Sequence, residues 1–167
     1  MFAQVQLMTQ SFADQAVIGL QALIAGLLGA IVGFERGKSG KGVGLRTHAL
    51  VAIASSAAVG LGGMLVSGVS NGDPSRTLHA IITGVGFIGA GAILHSPQGT
   101  QGVTTATSVL LVAVIGASVG VGMPIIGVCV TVLALLVLRV VGTWQHHRNE
   151  SGNSSTQGGN GESHMVS

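Results

Sequence analysis

The feature that most constrains the fold is residues 78–122. Two apolar segments, LHAIITGVGFIGAGAIL and TATSVLLVAVIGASVGVG, are joined by the uncharged connector HSPQGTQGVT. Glycine weakens a water-exposed helix and is common in a membrane helix. It recurs here at Gly84, Gly86, Gly89, Gly91, Gly116, Gly120 and Gly122. Residues without side chains let helix backbones approach closely, so dispersion and Cα–H···O contacts can hold them in lipid. The pair is expected at the centre of a compact helical bundle. Composition sets the solvent: only 7% of the 167 residues are charged, with mean hydropathy +0.68. A soluble domain carries about 25% charged residues, so this chain could not cover its surface in water and reads as an integral membrane protein.

Gly84-Val85-Gly86-Phe87-Ile88-Gly89 matches GxGxxG, but a dinucleotide site needs a βαβ unit and an acidic residue about 20 positions on. No Asp or Glu occurs from Pro74 to Asn149. A net charge of +2, with no basic run interleaved with aromatics, excludes a nucleic-acid partner. Cys129 is the single cysteine and reads as a small apolar packing residue.

In chain order, residues 1–15 lack Lys and Arg and read as a retained external lead rather than a signal peptide. Five spans follow, at 16–34, 47–66, 78–94, 105–123 and 124–142, each near the length a bilayer core requires. The architecture is therefore an all-α polytopic membrane bundle whose domain covers 16–142. Residues 143–167, rich in Gly, Ser and Asn towards their end, read as a disordered tail. Arg36, Lys38, Lys41 and Arg46 follow the first span. Short basic loops stay cytoplasmic, which puts the N-terminus outside and the C-terminus inside. Gly26, Gly29 and Gly33 form a small-residue seam on the first span, and Gly84, Gly86, Gly89, Gly91, Gly116 and Gly120 extend the seams to the third and fourth. Such seams serve self-association and partner docking alike. Ser55 and Ser56 can bond back to the preceding turn.

Mg²⁺ prefers an octahedron of oxygens with one or two carboxylates. Asp14, Glu35, Asp73, Glu150 and Glu162 all fall outside the mid-bilayer positions where carriers place substrate. No metal, cofactor or catalytic residue is assigned, and no enzymatic activity is expected. Glu35 is expected to pair with Arg46 or Arg36. Asp73 can cap the third helix, with Pro74 at its first position and Arg76 as its ion-pair partner. Asp73 and Arg76 also form a candidate external sensor of divalent cation or acid.

Two groups of motifs then give the chain its likeness. The first is Gly33-Phe34-Glu35-Arg36, followed by Gly44-Leu45-Arg46-Thr47-His48. The second is Asp73-Pro74-Ser75-Arg76, the Gly84–Leu94 run, and Gly102-Val103-Thr104-Thr105-Ala106. With these, residues 16–142 resemble the MgtC/SapB family of bacterial inner-membrane proteins. The resemblance implies a multi-pass protein of the bacterial plasma membrane, linked to growth at low magnesium. It also implies a membrane-protein partner of the proton-translocating ATP synthase type, and some members carry the label of magnesium transport proteins. Larger members have a soluble domain after the fifth span, where this chain has its glycine-rich tail. Gln101 stands where an arginine is expected, and Val109 and Leu110 lie where an aromatic is. Both motif groups converge on the inner ends of the first four spans, making Glu35, Arg36, Arg46, Thr47, Thr104 and Thr105 a candidate polar cluster. The expected role is a non-enzymatic regulator working through membrane-protein contacts; the alternative is a channel or carrier for Mg²⁺ or another small solute.

Overall fold

A computed structural model describes residues 12–38, 44–66, 72–96 and 99–153. Among them are five helices and one short hairpin: α1 (Phe12–Lys38), α2 (Leu45–Val66), α3 (Ser75–Gly91), β1 (Leu94–Ser96), β2 (Gly99–Gln101), α4 (Val103–Gly120) and α5 (Pro124–Asn153). Residues 1–11 of the expected lead and 154–167 of the expected tail lie outside the described residues. The chain is all-α in character, as its hydropathy requires. α1, α2 and α4 are each long and apolar enough to cross a membrane. α3 and the apolar part of α5, Pro124–Val140, are shorter.

The outward surface identifies the solvent. Leu20, Leu23, Leu27 and Ile31 recur every three or four residues on α1, and all are exposed. Ile125, Val128, Val132, Leu136 and Val140 do the same on α5. That spacing is one helix face, and large apolar side chains along the outer faces of a bundle are stable in hydrocarbon.

The interior is built on small residues. Ala25 and Val32 of α1, Ala52 of α2, Val112, Ile115 and Val119 of α4, and Ala134 of α5 form the main core. A Cβ on Gly29 would stand 2.7 Å from both the Ala52 Cβ and the His48 carbonyl oxygen, and one on Gly33 would stand 2.7 Å from the Leu45 Cα. On Gly116 it would collide with the Ala52 carbonyl, and on Gly120 it would stand 2.5 Å from that of Ser56. α2 is therefore gripped on two sides, by α1 and by α4, at backbone-to-backbone distance.

One expectation is corrected. α3 and α4 do not form the centre as a pair: α4 is central and α3 is peripheral. α4 contributes Val109 and Ala113 to a second, smaller core with Val85 of α3, and otherwise turns its buried residues to α1, α2 and α5. Gly89 meets Ala106 at an ordinary 3.5 Å, while Gly84, Gly86 and Gly91 meet nothing within 4 Å among the described residues. The reason is volume. The close approach along Gly116 and Gly120 already belongs to α2, leaving α3 only the flank of α4.

Helix ends follow local chemistry. The Asp73 carboxylate accepts the Ser75 N–H at 2.9 Å, and Pro74 has helical dihedrals (φ −62°, ψ −23°). Asp73 thus caps α3, with Pro74 in its first turn. The Ser75 hydroxyl and N–H hold the Asp73 carboxyl below the usual carboxylate range. The connector between α3 and α4 forms a hairpin, with Leu94 paired to Gln101 and Ser96 to Gly99. Gly99 and Gly102 take positive φ, +119° and +86°, which glycine alone adopts without strain. α5 continues to Asn153, past the boundary expected at 142.

Candidate functional site

α1 and α2 run antiparallel, α2 and α4 parallel, so the end of α1 and the starts of α2 and α4 meet at one end of the bundle. There the structure assembles a chain of buried polar groups. Arg36, only 8% exposed, donates from Nη2 to the Thr105 Oγ1 at 3.3 Å. The Ser108 hydroxyl lies 2.8 Å from the Thr105 carbonyl oxygen and 3.1 Å from the His48 Nε2. His48 is fully buried, and its Nδ1 lies 3.0 Å from the Gly44 carbonyl oxygen. Three helices are thereby joined through four side chains. A buried polar group costs free energy unless it is hydrogen-bonded, so these bonds also select this register of the helices.

Of the sequence candidates, Arg36 and Thr105 meet directly. Glu35 forms an ion pair with Arg139 of α5 at 3.1 Å, rather than the expected pair with Arg46 or Arg36. The correction has a geometric reason: Glu35 and Arg36 are adjacent on a helix and point about 100° apart. Arg36 turns inward to α4 and Glu35 sideways to α5. Lys38 lies over the Phe34 ring, 4.8 Å from its centre. Arg46 and Thr104 are exposed and Thr47 half-buried. At the opposite end, Asp73, Arg76 and His79 are all exposed, with the His79 Nδ1 bonded to the Ser75 carbonyl oxygen within α3.

His48 and Ser108 were not among the sequence candidates. The available signal was a histidine four residues into an apolar helix, where a ring must find partners, and a serine one turn after Thr104-Thr105. Ser56 departs from expectation in the other direction. Its hydroxyl is buried with no hydrogen-bond partner among the described residues, rather than bonded to the preceding turn. Thr83, Ser118 and Thr131 do make such back-bonds.

Among the described residues, no group of three or more His, Cys, Asp or Glu side chains could hold a metal ion. Three carboxylates sit at helix ends: Asp14 in the first turn of α1, Glu35 near its last, and Asp73 before α3.

A bundle of apolar helices with lipid-facing leucine and valine faces, glycine-mediated packing and a buried polar chain at one end defines a helical integral membrane protein. Comparison with known families makes this specific. The MgtC family model matches residues 22–147, and the chain belongs to that family. It is 39% identical over 126 residues to YhiD of Escherichia coli (strain K12), whose name proposes a magnesium transporter; the match covers 72% of this chain and 59% of YhiD. It is 34% identical to Protein SrpB of Synechococcus elongatus, covering 75% of each chain. It is 38% identical to Protein MgtC of Brucella abortus (strain 2308), over 61% of this chain and 42% of that protein. The chain thus spans about 59% of YhiD's length and less of MgtC's. No solved structure matches it.

Proposed function

We propose that this protein is a non-enzymatic regulator in magnesium-limitation physiology, acting in the bacterial plasma membrane by helix contact with another membrane protein. The observation that carries this reading is the contrast between two sets of glycines. Those on α1 and α4 at Gly29, Gly33, Gly116 and Gly120 are filled by this chain's own backbone and side chains; Gly84, Gly86 and Gly91 on α3 are left open by all the described residues. In lipid, such a surface accepts an approaching helix more closely than a leucine surface does. The proposed orientation, following the basic residues after α1, puts the Arg36 end in the cytoplasm.

The placement of carboxylates supports a regulator over a carrier. Glu35 is held by Arg139 and Asp73 by the start of α3, both at helix ends. A Mg²⁺ pathway calls for oxygen ligands near the membrane midplane. The magnesium-transporter wording attached to YhiD keeps the carrier as the second reading.

Two measurements separate them. Purified full-length protein in liposomes carrying a Mg²⁺-sensitive dye is expected to show no flux above empty vesicles; flux from the protein alone overturns the regulator. Co-purification from native membranes at low Mg²⁺ is expected to yield a defined membrane partner, of which an ATP synthase-type complex is one candidate. That capture is expected to weaken at least several-fold when Gly84 and Gly91 are both replaced by leucine. A partner held equally by the variant removes the α3 face from the proposal.

A further inference from the structure

At the end of the bundle away from Arg36, the described residues leave a gap between three helices. Gly60 and Gly63 of α2, Pro74 and Leu78 at the start of α3, and Gly120 and Val121 of α4 line a cleft of about 410 Å³. Small-molecule sites span about 300–1,000 Å³. Three of these residues have no side chain to place in the gap. Gly60 and Gly120 serve helix packing, since a Cβ on them would press on the Ile18 side chain and the Ser56 carbonyl. A Cβ on Gly63 would meet nothing within 4 Å among the described residues. Gly63, Leu78 and Val121 are themselves exposed, so the cleft opens onto the outer surface of the bundle. Leu61 and Leu65 are exposed beside it on α2, which makes that surface a lipid-facing one.

We propose that this cleft holds one acyl chain of a phosphatidylethanolamine molecule from the adjoining leaflet, with its headgroup seated on Asp73 and Arg76. The lining is almost wholly apolar, so water finds few hydrogen-bond partners there, and a hydrocarbon tail needs none. Charge selects the headgroup. Asp73 and Arg76 are the one acid and the one base between Arg46 and Arg139, and they flank Pro74 and Ser75 of the lining. Both are exposed, and among the described residues no ion pair joins them. The Asp73 carboxylate accepts the Ser75 N–H at 2.9 Å and keeps further lone pairs for an ammonium group. Arg76 offers its guanidinium to a phosphate. A headgroup with phosphate and ammonium side by side satisfies both. An anionic headgroup satisfies Arg76 and sets its charge against Asp73.

Size argues for a tail over a partner helix. One turn of an α-helix, about 5.4 Å long and 10–12 Å across, is larger than this cleft. A single chain fits between the start of α3 and the ends of α2 and α4, and supplies packing that the glycines there do not. The site uses none of the open glycines Gly84, Gly86 and Gly91. It rests on the membrane setting alone and stands apart from the regulator-or-carrier question.

The test is photolabelling of full-length protein in phosphatidylglycerol vesicles. They carry a trace of phosphatidylethanolamine with a diazirine in its acyl chain, and labelled peptides are mapped by mass spectrometry. Labelling is expected to concentrate on the cleft residues of α2, α3 and α4, above the exposed Leu133 and Leu136 of α5, and to fall as unlabelled phosphatidylethanolamine is added. Gly63→Leu fills the cleft and is expected to cut that labelling several-fold while labelling of α5 stays the same. A phosphatidylglycerol probe with the same tail is expected to label the cleft about threefold less, the scale of one exposed charge pair. Asp73→Asn keeps a capping oxygen and is expected to remove that difference. Even labelling of all lipid-facing helices, cleft labelling indifferent to Gly63→Leu, or equal labelling by the two probes each overturns the proposal. If Gly63→Leu does not fold, competition on the wild type decides: cleft labelling that unlabelled phosphatidylethanolamine does not reduce overturns it.

Discussion

Gly116 of α4 lies directly beneath the Ala52 carbonyl of α2, so close that a Cβ there would overlap the carbonyl oxygen. Backbone cannot retreat as a flexible side chain can. Gly116→Ala must therefore push α2 and α4 apart, and overpacking of that kind costs about 1–3 kcal/mol. Gly84→Ala on the open face of α3 is expected to change stability by less than about 0.5 kcal/mol. Reversible unfolding in mixed micelles compares the two; equal losses would refute the packing described.

The α3–α4 hairpin supplies a second contrasting pair. Gly102 and Gly99 both have positive φ, but among the described residues a neighbour, the Ala92 carbonyl, stands in the way of a Cβ at Gly102 and none does at Gly99. A left-handed conformation alone costs an L-residue about 1–2 kcal/mol. Gly102→Ala is expected to lose more than Gly99→Ala, with the difference due to the collision. Thermal midpoints of the two variants check the order.

Glu35 and Arg139 bind α1 to α5 at the Arg36 end. If their contribution is mutual, Glu35→Gln combined with Arg139→Gln will be no worse than the more harmful single change. Independent roles give additive losses instead. Unfolding free energies of the four proteins in mixed micelles read this double-mutant cycle.

For Asp73 the sign is set by its depressed folded-state value. Its contribution to the start of α3 is present above the unfolded carboxylate range, and it is lost as pH falls through the lowered value. The Ser75 amide resonance is expected to follow that titration. In Asp73→Ala it will be flat with pH, and the first turn will exchange hydrogen faster. An amide that is insensitive to pH in the wild type contradicts the cap.

How much was legible in the chain differs by level. Sparse charge and long apolar segments determined the solvent, the helical class and the approximate extent of the spans, because those depend on local composition. The Asp73-Pro74 start of α3 was also readable, since a cap acts within its own turn. Tertiary structure alone decided which glycines are filled. Gly84 and Gly116 are chemically the same residue in similar apolar runs, and only the neighbour's position separates them. It also decided that Arg36 turns inward while Glu35 turns to Arg139, and it brought His48 and Ser108, 60 residues apart, within 3.1 Å. Such contacts depend on how helices are rotated about their axes, a quantity set jointly by all the packed faces and carried by no single segment.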